Sequence, residues 1–237
     1  MAETLALIGF GEGAWGWALL GGALVTIQIA FASYIVGIGL GLLGAWGKIS
    51  GPRWVRAIGA GYTSVVRGVP EILVIFLIYY GGTSGIRALT GLVMPGVNVE
   101  IAAFPAAVGA LGFIAGAYAT EIFRGSLLAI DPGQREAGKA LSLRPYQVFL
   151  LIVLPQALRL AVPAFGNLWL VVLKDSALIS VVGIRDLLGV GATAALSTRQ
   201  PFTFYTTVAL VFLVISTISM VAFHLAERRL GRGQANH

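Results

Sequence analysis

EAGKALSLRPYQVFLLIVLP, residues 136–155, is the stretch that organises this chain. It is polar and basic, and it is punctuated by Pro145 and Pro155 inside an otherwise strongly apolar protein. Just before it, Asp131-Pro132 is a helix start, with Asp as N-cap and Pro in the first turn. A short helix is therefore expected to run to about Leu141. Ser142 is read as the cap of the next element, Pro145 as the start of a second helix, and Pro155 as a break before the following apolar run. On the first helix Arg135 and Lys139 are four apart and share a face. Two short helices joined by a tight corner make a rigid knob, suited to transmitting force from a separate body. A solvated basic loop without a partner is the alternative reading of the same spacing.

The surrounding composition is that of a membrane protein. The chain of 237 residues is 57% hydrophobic and only 11% charged, against about 25% charged in ordinary globular domains. Mean hydropathy is +0.88. Glycine, 32 of 237 residues, is enriched as expected of closely packed transmembrane helices. The absence of cysteine excludes disulfides and thiolate-bound metals, and the two histidines leave little for a metal site. The N-terminus, MAETLALIGF, has no basic n-region, so a cleaved signal peptide is not expected.

A span needs about 20 apolar residues. The charge-free run between Glu12 and Lys48 predicts span one, roughly Trp17 to Trp46. Span two is expected from Ala57 to Tyr80, carrying Arg67 and Glu71. Span three runs from Ile101 to Ile130 and carries Glu121 and Arg124. Span four is Leu160 to Leu173, followed by Lys174-Asp175, with Ser176 to Val182 irregular or re-entrant. Span five is Pro201 to Ala226. The fold class expected is therefore an all-α integral membrane protein of about five spans. It forms one transmembrane domain over residues 1–237, with the loop 131–157 set inside it.

Charge sets the direction. If the first connection is cytoplasmic, that side holds Lys48, Arg53, Arg56, Arg124, Arg135, Lys139, Arg144, Arg159, Arg228, Arg229 and Arg232, 11 of the 16 basic residues. The positive-inside rule then puts the N-terminus outside and the C-terminus in the cytoplasm. The net charge of +6 is explained by topology beside anionic membrane lipid, without nucleic acid. Small residues at four-residue spacing, Gly37 with Gly41 and Gly112 with Gly116, allow close helix packing, within the chain or between subunits. No internal repeat points to an inverted-repeat transporter.

The loop resembles the Glu-Ala-Ala loop of ABC-importer permeases. Glu136, Ala137, Ile152, Leu154 and Pro155 agree with that motif, while Gly138 stands for its second Ala and Ser142 for its Gly. GYTSVVRGVPEILVIFLIYYG (61–81), GFIAGAYATEIFRGSLLAI (112–130) and GNLWLVVLKDSALISVVGIRDLL (166–188) are similar to segments of permeases for polar and basic amino acids. The resemblance covers nearly the whole chain and is greatest to subunits of histidine/lysine/arginine/ornithine and opine uptake systems. It implies the type I ABC importer permease fold, in a multi-pass subunit of a bacterial inner membrane. It further implies a second permease subunit, identical or a sibling in a heterodimer, a cytoplasmic ATPase dimer docked on the loop, and an extracytoplasmic substrate-binding protein. Glu136, Ala137, Gly138, Ser142, Leu154 and Pro155 would form the ATPase-coupling site. ATP and Mg would be bound by the partner ATPase, since this chain has no GxxxxGK[ST]. The permease itself would be no enzyme and bind no cofactor. ATP binding would draw the loops together and open the path outward, and hydrolysis would reset it.

Ionisable residues inside spans are costly and mark function. Glu121, with Tyr118 one turn away, offers an acceptor and an aromatic face to a cationic substrate. Alternatively Glu121 pairs with Arg124 or Arg67. Arg67 is placed to meet a substrate carboxylate or to pair at the inner end of span two. Gly68 and Pro70 can unwind the helix beside it, putting Gly68 to Glu71 on the substrate path. Lys174 and Asp175 fall in the outer half of the membrane, as an outer gate or as ligands. An ion-coupled transporter or channel would use such carboxylates but needs no docking loop. An intramembrane enzyme finds no catalytic constellation, and His224 reads as interfacial.

Overall fold

The computed structural model describes residues 7–93 and 102–231. Ile101 at the expected start of span three and Arg232 in the basic tail lie outside the described residues. The described residues include five helical segments long and apolar enough to cross a membrane.

α1 (Gly16–Ser50) is one helix of about 52 Å at 1.5 Å per residue, longer than the expected span at both ends. α5 (Ala103–Leu128) packs along it. The register of this pair is set by absent side chains. A Cβ on Gly37 would stand 2.5 Å from the Cβ of Ala115, and one on Gly41 would collide with Ala119. From the other side, Gly112 faces Val36 and Gly116 faces Leu40. The two glycine pairs of the sequence thus meet in one intramolecular seam. Contact positions rise together along both helices, so α1 and α5 run parallel. Two parallel spans in succession require the chain between them to cross back.

That return crossing differs in its bounds from the expected span over Ala57 to Tyr80, starting earlier and ending later, and it is interrupted beside Gly68 and Pro70, where unwinding was expected. α2 (Arg53–Gly68) is followed by Val69 and Pro70 in extended conformation, then α3 (Glu71–Phe76), a π-helical turn Leu77–Gly82, and α4 (Thr83–Val93). The cause is local. Proline lacks the N–H that would continue the ladder, and it pushes the preceding residue out of the α region. Val69 accordingly sits at φ −107°, ψ 143°. Val66 and Ile75, on the two sides of the break, both bury against Ile29, Ala110 and Ile114, so the interrupted crossing is held by α1 and α5.

After α5 come α6 (Pro132–Ala140) and α7 (Pro145–Val148), lying where the ends of α1 and α5 converge. A π-turn, Phe149–Val153, joins α7 to α8 (Leu154–Asp175). Pro155 is therefore not a break, and span four is not the short Leu160–Leu173. Helix runs from Pro145 through Val182. The π-turn lies directly upstream of Pro155, where the wider backbone relieves the ring's clash with the preceding turn. The residues expected to be irregular or re-entrant, Ser176–Val182, form a 3₁₀ helix that ends at Gly183 with φ +89°. α9 (Leu187–Thr198) is a short apolar helix packed on Leu19, Ala23 and Phe204, at the end opposite the loop. α10 (Pro201–Gly231) runs back to the loop end, where His224 Nδ1 lies 3.5 Å from Glu227.

The α1–α5 seam yields a direct test. Gly41→Val should destabilise the detergent-solubilised protein by about 1–3 kcal/mol, the usual cost of overpacking. Gly39→Val, on open surface, should leave the melting temperature nearly unchanged. Equal melting temperatures for the two variants would refute the seam.

Candidate functional site

The knob at the loop end is built from cap chemistry. Asp131 accepts from the backbone N–H of Gly133 at 2.6 Å, and Pro132 occupies the first turn of α6. The helix closes with a complete Schellman motif. Ser142 N–H donates to Lys139 O at 2.9 Å and Leu143 N–H to Gly138 O at 3.2 Å. Ser142 is the left-handed residue of that motif, at φ 58°. It is thus the corner of the knob rather than the cap of α7. That cap is Arg144, whose N–H donates to Gln147 Oε1 at 2.8 Å. The site where Ser142 replaces the motif's Gly is a position that favours glycine.

Gly138 is the buried contact of α6. A Cβ there would stand 2.9 Å from Ile152 Cδ1 and 3.0 Å from Val148 Cγ2. The missing methyl lets α6 seat on α7 and the π-turn. Glu136 and Ala137 are exposed on the same short helix, and Leu141 is 73% exposed beside them. Leu154 is half-buried and Pro155 exposed, both at the root of α8. Of the six sequence-derived loop residues, Glu136, Ala137 and Ser142 form the outer surface, while Gly138, Leu154 and Pro155 join the knob to the span.

The charged residues of the spans separate into two groups. In the first, Glu121 is held by Lys48 Nζ on one carboxylate oxygen and by Arg124 Nε, at 3.1 Å, on the other. Lys48 Nζ also donates to Thr63 Oγ1 at 2.9 Å. Side-chain exposure is only 12% for Lys48 and 21% for Glu121, so water does little to screen the pair. This clamp ties the end of α1 to α2 and α5. Arg124 is the partner of Glu121, and Arg67 is not.

The second group sits at the helix break. The Arg67 guanidinium lies 5.3 Å from the ring centroid of Tyr118. Tyr118 Oη donates to Glu71 Oε1 at 3.0 Å. Asp175 is within electrostatic reach of both Tyr118 and Glu71. Gly68 and Pro70 are exposed beside them, with open space over Gly68. Lys174 is exposed next to Asp175. Tyr118 and Glu121, expected to act together, therefore face different neighbourhoods, and Glu71 stands where Glu121 was expected. Such a patch carries a fixed cation, two carboxylates and an aromatic face, and can engage an ammonium and a carboxylate at once. Among the described residues no cluster of three or more His, Asp or Glu is arranged to hold a metal ion.

Two residues escaped the sequence reading. Lys48, taken only as a topology determinant, is the anchor of the clamp. Asp186 is fully buried; it caps α9 by accepting from Gly189 N–H at 2.9 Å, and its Oδ2 finds no hydrogen-bond partner among the described residues. The pattern Asp-Leu-Leu-Gly before an apolar run is an N-cap signal that could have found it.

The family described as the binding-protein-dependent transport system inner membrane component matches residues 37–232. The chain belongs to this family. It is 41% identical over 227 residues to the octopine transport system permease protein of Rhizobium radiobacter, covering 96% of each chain. It is 42% identical over 230 residues to the nopaline transport system permease protein of Agrobacterium fabrum, covering 97% of this chain and 98% of the other. Identity to the histidine/lysine/arginine/ornithine transport system permease protein of Escherichia coli is 38% over 215 residues, covering 91% and 94%. A crystal structure of an amino acid ABC transporter with histidines superposes with a TM-score of 0.78 at 31% identity, covering 91% and 95%. The methionine ABC transporter in inward-facing conformations, at 21% identity and a TM-score of 0.72 over 93% and 99%, shares the fold.

The architecture is thus the type I ABC importer permease fold. The chain is the multi-pass inner-membrane permease subunit of a binding-protein-dependent importer, not an enzyme. Membership implies an ATPase and a substrate-binding protein as partners.

Two substitutions test the geometry. Lys48→Met leaves the Glu121 carboxylate to Arg124 alone and should cost about 2 kcal/mol, the loss of one charge-assisted hydrogen bond, with Lys48→Met/Glu121→Gln recovering much of it. Strict additivity in thermal unfolding would show that the pair is not coupled. Ser142→Gly should relieve left-handed strain of about 1 kcal/mol and slow hydrogen exchange of the Leu141 to Leu143 amides. Faster exchange would contradict the corner geometry.

Proposed function

We propose that this permease carries a basic amino acid or an opine. The observation that carries the reading is the Arg67–Tyr118–Glu71 arrangement at the broken crossing, with Asp175 close by. A cationic substrate with an α-carboxylate presents the complementary charges. The carboxylate would meet Arg67 or Lys174, and the cationic end would meet Glu71, Asp175 and the face of Tyr118. Gly68 and Pro70 open the backbone there. Glu121, already saturated by Lys48 and Arg124, serves the scaffold of this path rather than the substrate. The relatives named for octopine, nopaline and histidine/lysine/arginine/ornithine support the same chemistry.

The orientation that fits has the loop and the C-terminus in the cytoplasm and the N-terminus outside. Glu136, Ala137 and Ser142 then face an ATPase dimer that binds ATP and Mg, and Gly138, Leu154 and Pro155 pass its motion to α8. A second permease subunit, sibling or identical, completes the path. The apolar concavity of about 680 Å³ between Ile58, Val65, Leu73 and Phe113 is a surface such a subunit would cover.

The deciding experiment reconstitutes this chain in liposomes with its candidate ATPase, sibling permease and binding protein, and measures uptake of labelled arginine, histidine and glutamine. ATP-dependent uptake of a basic amino acid is expected. Glutamine alone would overturn the substrate class, and uptake without ATP would favour ion coupling. Glu71→Gln should lower basic amino-acid uptake about tenfold, the loss of one charge-assisted contact. Glu136→Lys should abolish ATPase retention on the purified complex, and normal retention would refute the docking assignment. Because the chain has no cysteine, Gln134→Cys reads orientation. A membrane-impermeant maleimide should label it only after the cells are opened.

A further inference from the structure

We propose that the loop end holds a site for an anionic phospholipid of the adjoining leaflet, seated between the knob and the ends of α1 and α5. Two concavities meet there and share Ile49, Ser50, Leu127 and Phe149. The first, of about 410 Å³, is bordered by Arg135 and Lys139, the pair that shares a face of α6. The second, of about 230 Å³, runs to the level of the spans between Leu42, Trp46, Phe123, Leu154 and Leu158. Its wall is almost wholly apolar, with Ser50 and Ser126 as its only hydroxyls among the described residues. No acidic residue lines either concavity among the described residues.

The two cations are available. Lys139 makes no ion pair or side-chain hydrogen bond among the described residues. Arg135 donates one guanidinium N–H to Leu127 O at 3.3 Å and keeps its other donors. The occupant must therefore be acidic at the knob and apolar towards the spans. A phosphodiester with an acyl chain meets both demands. Free inorganic phosphate would use only the mouth, and an acidic soluble segment would leave the trough unfilled. Trp46, 71% exposed at the trough, has the amphipathic ring that belongs at headgroup level. Basic pockets between spans on the cytoplasmic side are the usual seats of such headgroups.

Position gives the site a role. The groove is walled by α1, by the end of α5 and by Val148 of α7. A lipid seated there would splint the knob to two spans and stiffen the path by which the loop moves α8. This inference rests on the cytoplasmic placement of the loop.

The test uses the whole importer, purified with its ATPase and sibling permease, and titrated with phosphatidylglycerol or phosphatidylcholine under native mass spectrometry. The wild type should retain phosphatidylglycerol in preference to phosphatidylcholine, and excess inorganic phosphate should not displace it. Arg135→Gln/Lys139→Gln should weaken retention on the order of thirtyfold, while Arg144→Gln, on the knob but outside the groove, should not. In nanodiscs, phosphatidylglycerol should stimulate ATPase activity of the wild type and of Arg144→Gln, but not of the double variant. Equal retention of the two lipids, unchanged retention in the double variant, or displacement by inorganic phosphate alone would overturn the site. Loss of the lipid effect with ATP-driven uptake intact would sink this inference and leave the importer reading standing. Lipid retention without ATP-driven uptake would do the reverse.

Discussion

The parallel seam between α1 and α5 constrains everything else. Glycine at 37 and 41 meets alanine at 115 and 119 so closely that backbones, not side chains, form the contact. In a bilayer, where apolar burial drives little association, such close approach is the chief source of helix–helix adhesion. Because the two helices run the same way, the intervening chain has to cross the membrane. The crossing contains the break at Pro70, which puts Arg67 and Glu71 beside Tyr118 of α5. The same seam brings Lys48 level with Glu121, and it converges the ends of α1 and α5 into the platform on which the knob rests.

The two charge groups differ in how they are satisfied, and the proposed path follows the less satisfied of them. Glu121 has a cation on each oxygen and little water. Its charges are spent on one another, as expected of a structural pair in a poorly screened setting. Around Tyr118 the charges are only loosely engaged, by a ring face and a single hydroxyl. Exposed backbone at Gly68 and Pro70 lies alongside. Unfinished charge beside interrupted helix is a pattern that membrane proteins tolerate where a cavity is lined.

Much of the fold was legible because its signals are local or compositional. The charge-free run before Lys48 and the run after Pro201 each announced a span, and Asp131-Pro132 announced α6. Proline's effect on its predecessor foretold the interruption at Val69-Pro70, though not the length of the crossing, which continues through a π-turn of Leu77–Gly82. Pro155 misled because its meaning depends on the backbone upstream. A π-turn there absorbs the ring, and the helix continues. Ser142 misled for a related reason, since a serine before a second helix resembles a cap unless the Schellman bonds are known. The Lys48–Glu121 clamp spans 73 positions of sequence and depends on the parallel register, so no local pattern encodes it. The loop surface and the charges around the break were named from sequence, but only the structure assigned Tyr118 to Glu71 and Glu121 to Lys48.

The unbroken helix from Pro145 to Asp175 has a mechanical consequence. At 1.5 Å per residue it is a strut of about 46 Å, with the knob at one end and Asp175 at the other. Pro163 lies near its middle, and Gly166 faces Phe223 of α10, whose Cδ1 would stand 3.2 Å from a Cβ at that position. As a pivot, that position would divide the strut into arms of about 32 Å and about 14 Å. A rocking of only about 5° there would displace the knob end by about 3 Å and the Asp175 end by about 1 Å, in opposite directions. Under the proposed docking at the knob, a small inward pull there would return as an outward swing of Asp175, one lever inverting the stroke along the span.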